Sequence, residues 1–386
     1  MKEKKGLGEI GRREERREGR VKGRIVMVMM VVMMVVMMVV MMVMGCNSGG
    51  VKGEGQVGGA IGGEGRGLSG AMMEVGRSAE NAFYAFLELV SDVLGFAAKT
   101  TTKKNEVGGY FSNLGAKLGE ASKELDKLSQ KSETGGNKSD SSKNLIKEAV
   151  EAAKGVLGIL KGHLESLEKV GDSSLVGDAT TNTQGTTVSD AELKIAYKAL
   201  KGIVDEASKI GIEKLTAGNA ALNVTGVDNK EGAKILATTT GGASATDAGK
   251  AAAILSSVSG EEMLASIVAS NESDTALGAA PDGNTTAVSF AKGGANNQIG
   301  SVSTPKAAAV SGGIALRSFI KGGKLASGAA DDAAGGKKDV QAVGIDAVNK
   351  LLRAVEGIVK KTVKNVIGEA KGKIDKARDP KGADSE

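Results

Sequence analysis

Between Ile25 and Met44 the chain runs for twenty consecutive residues drawn only from Ile, Val and Met, and this run ends in Gly45 and the single cysteine, Cys46. A surface helix of a globular domain needs a polar face, and this run has none. Twenty helical residues cover about 30 Å, the hydrocarbon thickness of a bilayer. The run therefore separates a short basic leader from a long hydrophilic remainder, and the two are read apart.

The leader has the order of a bacterial lipoprotein signal. Basic residues, among them Arg20, Lys22 and Arg24, precede the apolar stretch, and Val43-Met44-Gly45-Cys46 stands where processing would occur. In such a signal the Cys46 sulfur takes a thioether-linked diacylglycerol and the peptide before it is removed. Only a thiolate is nucleophilic enough for that transfer at ordinary pH. Two or more acyl chains, at ~0.8 kcal/mol per buried CH2, make a stable anchor. The competing reading is a retained transmembrane helix with Cys46 at its end by chance.

Charge points away from nucleic acid once the leader is set aside. Residues 1–24 hold ten Lys or Arg and five Glu, so of the 51 basic and 46 acidic residues 41 of each remain from Cys46 onward. A neutral chain lacks the basic surplus that phosphate binding requires. Ten of the fourteen Met also lie in the apolar run, and the remainder has nine aromatic residues and no Trp. Its core must be built of aliphatic and alanine side chains, with no disulfide available.

Asn47 to Gly70 has eleven Gly in 24 residues and reads as a tether with an r.m.s. span of roughly 27 Å. Within it Gly53-Glu-Gly55-Gln-Val-Gly58 matches the dinucleotide fingerprint, but without the strand and helix that give the motif its meaning. No cofactor is expected.

Helical spacing begins at Val75 and continues through Ala79, Phe83, Phe86, Val90 and Val93 to a stop at Gly95. Phe83, Tyr84, Phe86, Phe96, Tyr110 and Phe111 gather six aromatics in one stretch, expected in the core rather than around a ligand. A Gly108-Gly109 turn leads into a second helix from Tyr110 to about Lys131. The clearest period follows between Ser141 and Val170: Ile146, Val150, Ala153, Leu157, Leu160, Leu164 and Leu167 step by four and three, a heptad seam that could pack within or between chains. His163, the only histidine, lies beside it with no second histidine or cysteine to make a metal or nucleophile site.

Two Ser-x-x-Glu boxes, Ser189 to Glu192 and Ser259 to Glu262, predict helix starts. Further helices are expected at 193–207, 248–257, 263–269, 306–321 and 341–377. Between them lie Thr-, Gly- and Asn-rich segments expected as loops: 171–187, 217–230, 238–246, 271–304 and 322–338. The fold class is all-α, an elongated helical bundle with long polar loops. The predicted divisions are a signal at 1–45, a lipidated tether at 46–70, a helical domain at 71–378 and a polar tail at 379–386.

The segments Val75 to Phe96 (VGRSAENAFYAFLELVSDVLGF), Val107 to Leu125 (VGGYFSNLGAKLGEASKEL), Leu160 to Leu167 (LKGHLESL), Asp247 to Val268 (DAGKAAAILSSVSGEEMLASIV), Lys306 to Ala326 (KAAAVSGGIALRSFIKGGKLA) and Ala347 to Arg378 closely resemble the variable large proteins, variable major proteins of relapsing-fever Borrelia. The likeness covers nearly all of the chain after Val75, in the same order. It implies a plasmid-encoded, surface-exposed outer-membrane lipoprotein, acylated at Cys46 and related in fold to the helical variable antigen of Lyme spirochaetes. It further implies antigenic variation, with host antibodies as partners and no catalytic residues.

The reading from residues agrees, because loops can change sequence at little folding cost. On it, antibodies map to segments such as 171–187 and 271–304. The alternative is an adhesin for a host surface glycan or protein, motivated by Lys337, Lys338, Lys360, Lys361 and Lys364. An enzyme would need a nucleophile and base set that the sequence does not offer.

Overall fold

The computed structural model describes residues 95–133, 141–181, 184–220, 232–239, 243–300 and 305–378. The leader, Cys46, the tether, the Gly53 to Gly58 motif, most of the expected first helix and the polar tail lie outside the described residues. Nine α-helices occur among those described: α1 (Lys104–Glu133), α2 (Ser141–Leu167), α3 (Asp190–Lys209), α4 (Asp247–Ser256), α5 (Gly260–Val268), α6 (Ala287–Lys292), α7 (Asn296–Ile299), α8 (Ala307–Phe319) and α9 (Lys337–Arg378). Short 3-10 turns at Glu168–Val170 and Ala233–Leu236 complete the set. Among these residues β pairing is confined to isolated bridges such as Ala179 with Leu325 and Thr186 with Lys324. The all-α expectation is met.

The heptad seam of α2 packs inside the chain. Ile146, Val150, Ala153, Leu157, Leu160, Leu164 and Leu167 are all buried, in one core with the apolar faces of α1, α3 and α9. Truncating one such leucine to alanine costs about 2–5 kcal/mol, through lost burial and the cavity left behind. Lys154 of α2 ties to Asp126 of α1 at 2.6 Å, and the Tyr110 hydroxyl of α1 donates to Glu356 of α9. Burial and that carboxylate together push the Tyr110 hydroxyl well above the usual tyrosine range.

Gly95, where the sequence predicts a helix stop, has φ +104°, the left-handed region that favours glycine. Phe96 stacks on Tyr110 with ring centroids 5.0 Å apart, and the Asn349 amide of α9 bonds both backbone groups of Ala98, at 2.7 and 3.1 Å. The expected aromatic core is thus present as far as it falls within the described residues.

Gly108 and Gly109 are not a turn. They lie inside α1, which starts at Lys104, six residues before the predicted Tyr110, with the Glu106 carboxylate accepting from the Lys103 backbone N–H. A Cβ on Gly108 would come within 2.4 Å of the Glu168 carbonyl oxygen, so the glycine allows close packing of α1 on the end of α2. Helix α9 likewise begins four residues before the predicted Gln341 and extends to 42 residues.

The other centre of the core is α8. All thirteen of its residues are buried, so it is enclosed on every side. Gly312 and Gly313 permit this: a Cβ on Gly313 would lie 2.4 Å from the Phe290 Cβ of α6. The span 271–304, expected to be irregular, contains α6 and α7. Thr286 caps α6 by accepting from the Ser289 N–H at 3.1 Å.

Candidate functional surface

His163, the one histidine of the sequence, is placed for packing. The His163 ring occupies the place where a Cβ on Gly202 would stand, 2.3 Å from its Cε1 and Nε2. It is a packing contact between α2 and α3. No group of three or more His, Cys, Asp or Glu that could hold a metal ion occurs among the described residues. Cys46, the expected lipidation residue, lies outside them.

What the structure does define is which polar segments face solvent. The span 171–187, expected as a displayed loop, is stitched into the interior. Lys104 N–H donates to Ser174 O and Val176 N–H to Thr102 O, both at 2.8 Å; Gly177 N–H reaches Ser318 O at 3.0 Å and Leu325 N–H reaches Asp178 O at 2.8 Å. Val176, Gly177, Asp178 and Ala179 are buried. Gly177 has φ +66°, and a Cβ there would meet the Gln341 carbonyl oxygen at 2.6 Å. The Asp178 carboxylate holds Lys324 at 3.0 Å and Lys337 at 3.2 Å. Its ends are held as well, since a Cβ on Gly171 would meet the Lys104 carbonyl oxygen at 2.3 Å and one on Gly185 the Lys324 carbonyl oxygen at 2.4 Å.

Residues 271–286 behave differently. Pro281 is the one buried residue of the stretch. Several of its polar groups are satisfied close by: Asp274 accepts from Asn271 N–H at 2.9 Å and from the Thr286 hydroxyl at 2.6 Å, and Asp282 accepts from Asn284 N–H at 2.8 Å, while Leu277 packs on the core and its N–H donates to Gly293 O at 2.8 Å. Residues 330–334 and much of 211–220 are exposed as well. By contrast most of 287–300 is buried, through α6 and α7.

Three cations hold this interior together, each at the C-terminal end of a helix, where unpaired carbonyls carry partial negative charge. Lys104 is fully buried and its ammonium donates to the carbonyls of Ile320 at 2.9 Å, Arg317 at 3.5 Å and Gly323, at the end of α8. Burial lowers its pKa to about 8, against the pull of Asp172 and Asp178. Arg317 is also fully buried and donates to Ala291 O at 2.9 Å, Leu236 O at 2.8 Å and Phe290 O at 3.3 Å, around the end of α6. Burial alone draws its pKa down, to about 9. Lys350 of α9 donates to Leu255 O at 2.6 Å and Val258 O at 2.8 Å, at the end of α4.

Sequence reasoning missed all three. Arg317 had one available signal, as the only charge within the apolar run 307–319. Lys104 had none, lying in a polar stretch with its acceptors more than two hundred residues away.

The five lysines proposed as an adhesive face do not act together. Lys337 pairs with Asp178 and Lys338 with Asp332, whereas Lys360, Lys361 and Lys364 are exposed farther along α9.

With this geometry established, comparison with known proteins is informative. The Borrelia lipoprotein family matches residues 79–374. Variable large protein 7 of Borrelia hermsii is 62% identical over 322 residues, covering 83% of this chain and 87% of that protein. Variable large protein 21 of the same organism is 60% identical over 333 residues, covering 84% and 89%. The crystal structure of the Lyme disease variable surface antigen VlsE of Borrelia burgdorferi superposes with a TM-score of 0.63 at 24% identity, covering 79% of this chain and 97% of that one, and so shares its helical fold. A chain whose helices, order and sequence agree at this level belongs to the variable large proteins of the Borrelia lipoprotein family.

Proposed function

We propose that this chain is a variable surface antigen, held on the outer membrane by acyl chains on Cys46 and serving the evasion of host antibody. The signal would be 1–45, the flexible tether 46–70, the displayed helical domain 71–378 and the tail 379–386. The supporting observation is the division of its polar segments: a packed helical interior carries stretches such as 271–286, which are exposed over most of their length, satisfy several of their own hydrogen bonds and join the core at Leu277 and Pro281. Such stretches can change sequence with little loss of stability, which is what serial escape from antibody demands. Family membership and the fold shared with VlsE support the same reading.

The test joins two measurements. Antibodies raised against this serotype are expected to bind 271–286 and 330–334 and to lose binding when those residues are exchanged for another member's. Recognition centred on buried residues of α2 would sink the proposal. Mass spectrometry of the mature protein is expected to find an acylated N-terminal Cys46, and trypsin added to intact cells is expected to degrade the protein.

A further inference from the structure

Asp282 and Gly283 are the one place in the chain where an aspartate or an asparagine is followed by glycine. The pairing matters chemically, because the nitrogen of the following residue can turn onto the preceding carboxyl and close a five-membered ring. A glycine there has no Cβ to obstruct the approach and reaches backbone angles closed to other residues.

The local fold favours that approach. Pro281 is buried and anchors the chain on one side, while Asp282 is exposed and Gly283 half-buried. Thr285 N–H donates to the Asp282 carbonyl at 3.2 Å, closing a turn, and Asp282 N–H donates to the Thr285 hydroxyl at 2.8 Å. Within this turn Asp282 Oδ1 accepts from Asn284 N–H at 2.8 Å and from the Thr285 hydroxyl at 3.3 Å. A carboxylate oxygen that reaches the N–H two residues on folds its carboxyl back over the nitrogen between them, here that of Gly283. No acceptor among the described residues holds the Gly283 N–H. Asp172 makes the same bond to Ser174 N–H, at 2.9 Å, but Ser173 lies between and the second carboxylate oxygen is held by Gly322 N–H at 3.1 Å.

We propose that Asp282 is a site of spontaneous isomerisation to isoaspartate. The Gly283 nitrogen attacks Cγ of the protonated carboxyl. The N–Cγ bond forms, the nitrogen gives up its proton, and the carboxyl hydroxyl leaves with a proton as water, giving a succinimide. Water then adds to the original backbone carbonyl carbon of Asp282, and the bond from that carbon to the Gly283 nitrogen breaks. The chain now continues through Cγ, with no net change in mass and no other reactant consumed. Asn284 N–H and the Thr285 hydroxyl already point at the oxygen on which charge develops as the nitrogen adds. The product has one more methylene in its main chain and a carboxylate on a shorter arm, inside the exposed 271–286 segment. The chemistry stands without the antigen reading; only its effect on antibody recognition rests on that reading.

The experiment keeps the full-length protein in detergent at physiological temperature and neutral pH for several weeks. The tryptic peptide Ala251–Lys292 is then read by electron-transfer fragmentation, which separates the two isomers. Isoaspartate is expected to accumulate at Asp282, and neither at Asp274 in the same peptide nor at Asp172. Asp282→Glu, whose attack would need a larger ring, is expected to form none. Gly283→Val is expected to slow the reaction by about tenfold or more, because its side chain obstructs the attacking geometry. Thr285→Val keeps the Asp-Gly pair and removes one donor, and is expected to slow it by about threefold or more. A synthetic peptide of residues 279–287 sets the reference rate, which the folded protein is expected to match or exceed. Isomerisation of the peptide but not of the folded protein, an unchanged rate in Thr285→Val, or equal conversion at Asp172 would each overturn the proposal.

Discussion

Residues 171–181 and 271–286 look alike as sequence, both rich in Gly, Asp, Ser and Thr, yet they occupy different places in the molecule. The first gives its backbone hydrogen bonds to α1, α8 and the 318–326 segment and buries Val176 to Ala179; the second bonds largely within itself, is tied to the core through Leu277, whose N–H donates to Gly293 O at 2.8 Å, and faces water over most of its length. Polar composition therefore predicts the absence of regular structure and says little about exposure. What decides exposure is whether distant carbonyls and amides need that backbone as a partner.

The sharpest way to break the comparison is to remove a support of the stitched region. Arg317→Met leaves three buried carbonyls without their donor, and a loss of about 3–5 kcal/mol is expected in urea unfolding. The same number of changes at exposed 330–334 is expected to alter stability by under ~0.5 kcal/mol.

Lys104 gives a pH test of the same support. Its folded pKa of about 8 lies below the ordinary 10.5, so between those values the unfolded chain binds more protons than the folded one. Stability relative to Lys104→Met should therefore rise with pH from about 8 to 10.5, by on the order of 3 kcal/mol, and be flat below 8. A falling or level difference across that window would mean the ammonium is not held in the interior.

Gly177→Val tests the middle of the stitched segment. Both the +66° φ and the Gln341 carbonyl at 2.6 Å oppose a side chain there, and a loss of about 2–3 kcal/mol is expected from thermal or urea melts. Gly278→Ala, in the open segment with nothing within 4 Å of its Cβ, is expected to change stability by less than ~0.5 kcal/mol.

The smallest effect concerns the two Ser-x-x-Glu boxes. Ser259 accepts from Glu262 N–H at 3.1 Å while Glu262 receives Ser259 N–H at 2.8 Å, so the box is closed. Ser189 instead donates its hydroxyl to the Glu192 carboxylate, which also faces Lys321 at 3.5 Å, and no side-chain bond to the helix backbone forms. Ser259→Ala should cost about 1 kcal/mol and Ser189→Ala a few tenths, measured by the same unfolding curves.

The sequence by itself determined the all-α class, the α2 seam from Ile146 to Leu167 and the approximate positions of α3, α4, α5, α8 and α9, because each helix repeats its apolar residues at the helical period. Helices α6 and α7, of six and four residues, are too short to show one. Tertiary structure alone decided that Gly108 and Gly109 sit inside a helix, that Val176 to Ala179 are core, and that Lys104, Arg317 and Lys350 cap the ends of other helices. Those outcomes depend on groups far along the chain that come together only on folding, and a cation becomes an interior residue when the carbonyls that replace its water arrive from elsewhere.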